Sequence, residues 1–105
     1  MKFYEMRTYT LKPGSIPLYT KYFDEIGYPI ISKYTKLVGF WFSEIGTLNQ
    51  LVSIWEYDSF EERAEKRKAL YQDEEWINKF IPLVFPLLIE QKNQIMYSLQ
   101  SSPIK

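Results

Sequence analysis

The chain has 105 residues, 46% of them hydrophobic and 25% charged, with thirteen basic and thirteen acidic side chains. A chain of this length supports one core that buries roughly 60 to 68% of the unfolded surface, and its composition excludes a disordered or fibrous protein. Zero net charge removes the electrostatic drive toward nucleic acid or anionic membrane, and with neither cysteine nor histidine there is no disulfide, thiolate metal site or cysteine nucleophile.

Residues 2 to 10 alternate, with Phe3, Glu5, Arg7 and Tyr9 on one side and Tyr4, Met6, Thr8 and Thr10 on the other, which predicts a first strand. Lys12-Pro13-Gly14-Ser15 ends it, and Ser15 is placed to cap a helix whose first turn tolerates Pro17. Leu18, Tyr22, Phe23, Ile26, Ile30 and Tyr34 recur at spacings of three and four as its buried stripe, with Gly27 and Pro29 as points of interruption. Leu37 to Ile45 and Gln50 to Tyr57 are rich in aromatic and β-branched residues and flank Gly46-Thr47-Leu48-Asn49, a pattern of two strands joined by a hairpin loop. Asp58 stands three residues before Glu61, the spacing of a capping box, and opens a second helix. Its run from Glu61 to Lys68 mixes signs at three and four apart and reads as a solvated face. Asp73 caps a further turn carrying Trp76, Ile77 and Phe80, and Pro82 and Pro86 turn the chain toward a last strand near Ile89 to Leu99. The tail after Ser101 is expected to be loose.

The start has no apolar signal-peptide region, and Phe80 to Ile89, the longest apolar stretch, carries two prolines and is too short to span a bilayer. The expectation is a cytoplasmic protein without membrane insertion, forming a single domain over residues 1–105 with its core at about 3–98. The order β-α-β-β-α-β predicts an α+β, ferredoxin-like fold, a four-stranded antiparallel sheet with both helices on one face. Nine Tyr, seven Phe and three Trp are more ring surface than so small a core needs. An uncovered sheet face carrying rings favours a homodimer paired through its sheets.

Tyr4, Met6, Val38, Phe40, Phe42, Val52 and Ile54 form the more continuously apolar set, and this set is expected against the helices. The opposite set mixes polar groups with large rings, as ligand pockets do: Glu5, Arg7, Tyr9, Trp41, Ser43, Ser53 and Trp55 are the candidate ligand-binding residues. A slip of one residue in register would exchange the two sets.

Tyr4-Glu5-Met6-Arg7-Thr8-Tyr9-Thr10-Leu11-Lys12-Pro13-Gly14 closely resembles the opening of NIPSNAP-family proteins. Leu37-Val38-Gly39-Phe40-Trp41, Glu44-Ile45-Gly46-Thr47-Leu48-Asn49-Gln50 and Trp55-Glu56-Tyr57-Asp58-Ser59-Phe60-Glu61-Glu62-Arg63 run like that family's signature, with Asp73 and Trp76 following. The resemblance covers residues 3 to 98 and implies the dimeric α+β barrel fold. It carries over no catalytic set. Many family members resemble one another in a histidine before the Trp-Glu-Tyr block, where this chain has Ser53. That departure removes the obvious general base and a histidine haem ligand, so haem-degrading relatives of the barrel superfamily are poor guides.

Each candidate also has a purely structural explanation. Glu5 and Arg7, two apart on one strand face, suit a polar ligand or a buried ion pair that only stabilises the fold. Trp41, Trp55 and Tyr9 suit a flat aromatic substrate or dimer-core packing. Leu48 is not demanded by its turn and suits insertion into a neighbour, and Asp73, Glu74 and Glu75 fit a helix start without a metal. The favoured reading is a homodimeric barrel that binds a small hydrophobic or aromatic molecule. Its enzyme form is a cofactor-independent monooxygenase or isomerase with Glu5, Arg7 and Tyr9 as candidate catalytic groups, needing no cofactor and no metal. The rival is a non-catalytic interaction or scaffold module.

Overall fold

The structure, a computed structural model, describes all residues 1–105. Strand β1 (Phe3–Leu11) leads into a first helical arm: α1 (Ile16–Tyr22), a π-helical stretch (Phe23–Gly27) and α2 (Tyr28–Ile31). Strands β2 (Lys36–Phe42) and β3 (Gln50–Tyr57) form the hairpin, and Gly46 and Asn49 take positive φ of 107° and 62° in its loop. The second arm is α3 (Phe60–Gln72), another π-helical stretch (Trp76–Phe80), α4 (Ile81–Val84) and a 3₁₀ turn (Phe85–Leu87), which delivers β4 (Leu88–Met96). The sheet is antiparallel with order β2-β3-β1-β4, the ferredoxin-like α+β arrangement read from the sequence.

Gly27 and Pro29 do not break the first arm: Gly27 closes the π-helical stretch, and Pro29 stands in the first turn of α2, where its missing N–H is tolerated. Gly27 is needed for packing instead: a Cβ there would lie 2.6 Å from the Phe80 ring, so its absence lets the two arms close on each other. The buried stripe also differs from expectation. Tyr19, Phe23, Ile30 and Ile31 are buried, whereas Leu18 is exposed.

Two caps differ as well. The Ser15 side chain makes no capping hydrogen bond. For α3 the cap is Ser59 rather than Asp58: its Oγ accepts from the Glu62 backbone N–H at 3.0 Å, and the Glu62 carboxylate accepts from the Asp58 N–H at 2.7 Å. The reciprocal pair is thus present one residue later than the spacing suggested. Asp73 does cap its turn, accepting from the Glu75 N–H at 3.0 Å. The C-terminal tail is folded back rather than loose, with the Tyr4 hydroxyl donating to the Lys105 carbonyl at 2.7 Å.

The two sheet faces differ most from expectation. Phe3, Glu5, Arg7 and Tyr9 of β1 oppose Tyr57, Trp55, Ser53 and Leu51 of β3, and this mixed set lies under the helices together with Leu11, which pairs with Leu88 of β4. Tyr4, Met6, Val52 and Ile54, expected in the core, lie on the sheet's other, open face with Val38. In β2 a bulge between Leu37 and Gly39 shifts the pairing, so Phe40 opposite Ser53 points at the helices and Trp41 opposite Val52 points away. Phe40 and Phe42 therefore keep their expected side, and the Phe40 ring meets Phe23 edge-on at 4.9 Å. Hydrophobicity alone misassigns the face because Glu5, the polar residue that should disqualify it, is neutralised by partners from a helix and from β4.

Candidate functional site

Glu5 is fully buried. Its Oε1 accepts from Arg63 Nε at 2.8 Å, and its Oε2 accepts from Arg63 Nη2 at 2.9 Å and from Asn93 Nδ2 at 2.8 Å. Arg7 Nη1 lies farther off, at 3.4 Å. Burial pushes the Glu5 carboxyl upward, but the Arg63 hydrogen bonds and the Arg7, Arg63 and Arg67 charges outweigh it and hold the group below the ordinary glutamate range. A saturated, stabilised carboxylate is a poor general base. Glu5 anchors α3 to the sheet.

Arg7 sits beside it with its side chain 11% exposed, and its Nε donates to the Tyr9 hydroxyl at 2.8 Å. With the second bond to Glu5, two of the five guanidinium N–H groups are used, and Arg7 also lines a cavity. This cavity, about 130 Å³, lies between the sheet and both arms. Arg7, Tyr9, Ser53 and Trp55 form its floor. Tyr19 and Phe23 come from the first arm; Arg67, Tyr71, Trp76 and Phe80 come from the second. Both π-helical stretches contribute wall residues, in keeping with the frequent placement of such irregularities at functional sites.

The rings form a continuous wall. Tyr9 meets Tyr19 at 6.2 Å, Tyr19 meets Phe80 at 6.2 Å, and Phe80 lies 4.6 Å from Trp76. Trp55 Nε1 donates to Ser53 Oγ at 2.9 Å, so the indole and the hydroxyl satisfy each other. Trp76 Nε1 has no partner although it is buried. Burial, reinforced by Tyr9, pushes the Tyr19 phenol far above its ordinary value, so Tyr19 stays neutral.

Of the residues expected to bind a ligand, Arg7, Tyr9, Ser53 and Trp55 are brought together at the cavity, and Glu5 stands behind Arg7. Trp41 and Ser43 are not. Trp41, 54% exposed, covers Gly39 on the open face, and Ser43 lies past the end of β2 with its hydroxyl on the Ile45 carbonyl. Tyr19, Arg67 and Trp76 also line the cavity and lie outside the expected set. Arg63, Arg67, Leu70 and Tyr71 follow a spacing of four, three and one, a helical stripe directed at the sheet; reading the run as a uniformly solvated face concealed it.

The NIPSNAP family model matches residues 4–103. The chain belongs to the NIPSNAP family. Among curated relatives, human protein NipSnap homolog 3A is 36% identical over 96 residues, covering 90% of this chain and 38% of the relative. The chain thus spans well under half the length of such relatives. A NIPSNAP family protein of unknown function from Agrobacterium tumefaciens has a solved structure that superposes with a TM-score of 0.95 at 41% identity, over 99% of this chain and 94% of that one. A NIPSNAP domain protein from Burkholderia xenovorans gives 0.91 at 35%, over 98% and 99%. A putative antibiotic biosynthesis monooxygenase from Nitrosomonas europaea gives 0.66 at 12%, over 96% and 93%, a likeness of fold alone. No helix of this NIPSNAP chain is long and apolar enough to cross a membrane.

Proposed function

We propose that this NIPSNAP chain binds a small, largely apolar or aromatic molecule in the cavity between sheet and helices, and that it does so as a homodimer paired through its open sheet faces. The observation that carries the reading is an interior cavity of about 130 Å³ walled by aromatic rings with unspent polar donors at its edge. An apolar cavity of ~150 Å³ accepts a benzene ring, so this slightly smaller space admits at most one six-membered ring. A core built only for stability would close such a void, since each unfilled methyl-sized space costs roughly 1 kcal/mol. In its enzyme form, Arg7 and Tyr9 are the polar groups positioned against a bound ring, and Glu5 acts only by holding Arg7.

The open face supports the dimer: Val38 and Trp41 expose large apolar surface beside Tyr4 and Ile54. The rival, a non-catalytic interaction module, draws on the hairpin tip, where Ile45 is 90% and Leu48 58% exposed. Saturation-transfer NMR with a panel of single-ring aromatic fragments separates the two. Binding by the wild-type chain that disappears in Ile81→Trp, which fills the cavity from a partly exposed position, supports the pocket. If no fragment binds, or if Ile81→Trp binds as well as the wild type, the pocket reading fails and the interaction module takes its place.

A further inference from the structure

Resting on that pocket reading, the geometry points to a narrower ligand class: a flat, single-ring aromatic carboxylate whose anionic end is received by Arg7 and Arg67. The cavity wall contains two arginines and no aspartate or glutamate. Glu5 does not line the cavity, and its carboxylate is already taken by Arg63 and Asn93. Around this one carboxylate stand Arg7, Arg63 and Arg67, three positive charges to one negative. Of the two arginines that line the cavity, Arg67 forms no ion pair and Arg7 has only the long contact to Glu5. Arg7 reaches its carboxylate partner Glu5 only at 3.4 Å, longer than the roughly 2.7–2.9 Å of a full charge-assisted bond, so its buried charge is only partly compensated.

The uncharged polar groups point the same way. Trp76 Nε1–H can only donate, and it is buried without an acceptor. Tyr19 stays neutral and keeps a proton to donate. Tyr9 accepts from Arg7, which leaves its own hydroxyl hydrogen free. A carboxylate offers two oxygens with about four lone-pair directions, and a guanidinium takes it in a planar, two-bonded fashion. Arg67 is itself steadied on the Tyr71 ring, its guanidinium carbon 5.5 Å from the ring centre. Tetrahedral anions fit a cavity of about 130 Å³ less well: a carboxylate can lie in the plane of its ring, whereas a phosphate ester projects oxygens to both sides of it.

The test is calorimetric titration of the full chain with benzoate and with its neutral isostere benzamide. The wild type is expected to bind benzoate at least about tenfold more tightly than benzamide, the discrimination of one charge-assisted contact. Arg67→Gln, on a half-buried helix position outside the Glu5 hydrogen bonds, is expected to lose most of that preference while still binding benzamide. Arg7→Gln is expected to lose it too, and circular dichroism establishes that each variant is folded. Equal affinity for benzoate and benzamide overturns the carboxylate proposal and leaves the pocket standing. Failure of both compounds to bind, together with failure of toluene, overturns the pocket and the proposal with it. A benzoate preference that persists in both arginine variants overturns the assignment to Arg7 and Arg67.

Discussion

Glu5→Gln keeps the size of the most deeply buried charged side chain and removes its charge, so it isolates what the ion pair contributes to folding. The carboxylate is 1% exposed and accepts three bonds of 2.8–2.9 Å, two of them from Arg63. Stripping one partner from a buried pair costs roughly 3–5 kcal/mol. Arg63 is 29% exposed and can rotate toward water, and Gln retains one acceptor oxygen, so the cost lies near the lower end, at about 3 kcal/mol. In a domain of this size that lowers Tm by roughly 12–20 °C. Urea denaturation at neutral pH gives the free energy directly, with an unchanged m-value establishing that the unfolded state is not the cause. The pH dependence supplies a second check. The folded-state carboxyl titrates below its ordinary value of 4.5, so its stabilisation is fully present above that value and is lost as pH falls through the depressed one. The wild-type advantage over Glu5→Gln should therefore shrink only below about pH 4.5. A loss under about 1 kcal/mol at neutral pH would refute the view that Glu5 binds α3 to the sheet.

Three further outcomes follow from individual contacts. Trp55→Phe should destabilise more than Trp76→Phe by about 1–3 kcal/mol in urea titrations, because Trp55 loses a made hydrogen bond and orphans Ser53 while Trp76 loses only an unpaired donor; equal losses would contradict this. Gly27→Ala should cost about 1–3 kcal/mol despite the better helix propensity of Ala, since the added methyl meets the Phe80 ring, and the paired change Phe80→Leu should recover part of it; a stabilised Gly27→Ala would show that the arms are not in close contact. The Asp73 carboxyl, held by the Tyr34 hydroxyl at 2.6 Å with help from Lys33, should titrate at about 2 by carboxyl NMR and move upward in Tyr34→Phe; an ordinary value in the unmodified chain would rule out that contact.

The strand order and hairpin were legible because alternation, turn residues and proline placement are local signals. Which face met the helices was not. Glu5 and Arg7 argue against burial when read alone, and their tolerance depends on Arg63, fifty-eight positions from Glu5, which no local pattern reveals. Even alternation puts Trp41 and Trp55 on one face, and a single extra residue at Val38 reverses that. More than half of the cavity lining comes from helical residues, and a stripe begun at Leu18 lies one position off the buried one that begins at Tyr19.

The three tryptophans provide the most direct test of the central claim, because each indole N–H gives its own resonance: Trp41 on the open face, Trp55 bonded to Ser53, and Trp76 unpaired beside the cavity. In ¹H–¹⁵N spectra recorded during a benzoate titration, the Trp76 indole signal should move downfield and saturate as its N–H gains an acceptor, while the Trp41 signal stays in place. Movement of Trp41 alone would put the ligand on the open sheet face and contradict a site between sheet and helices.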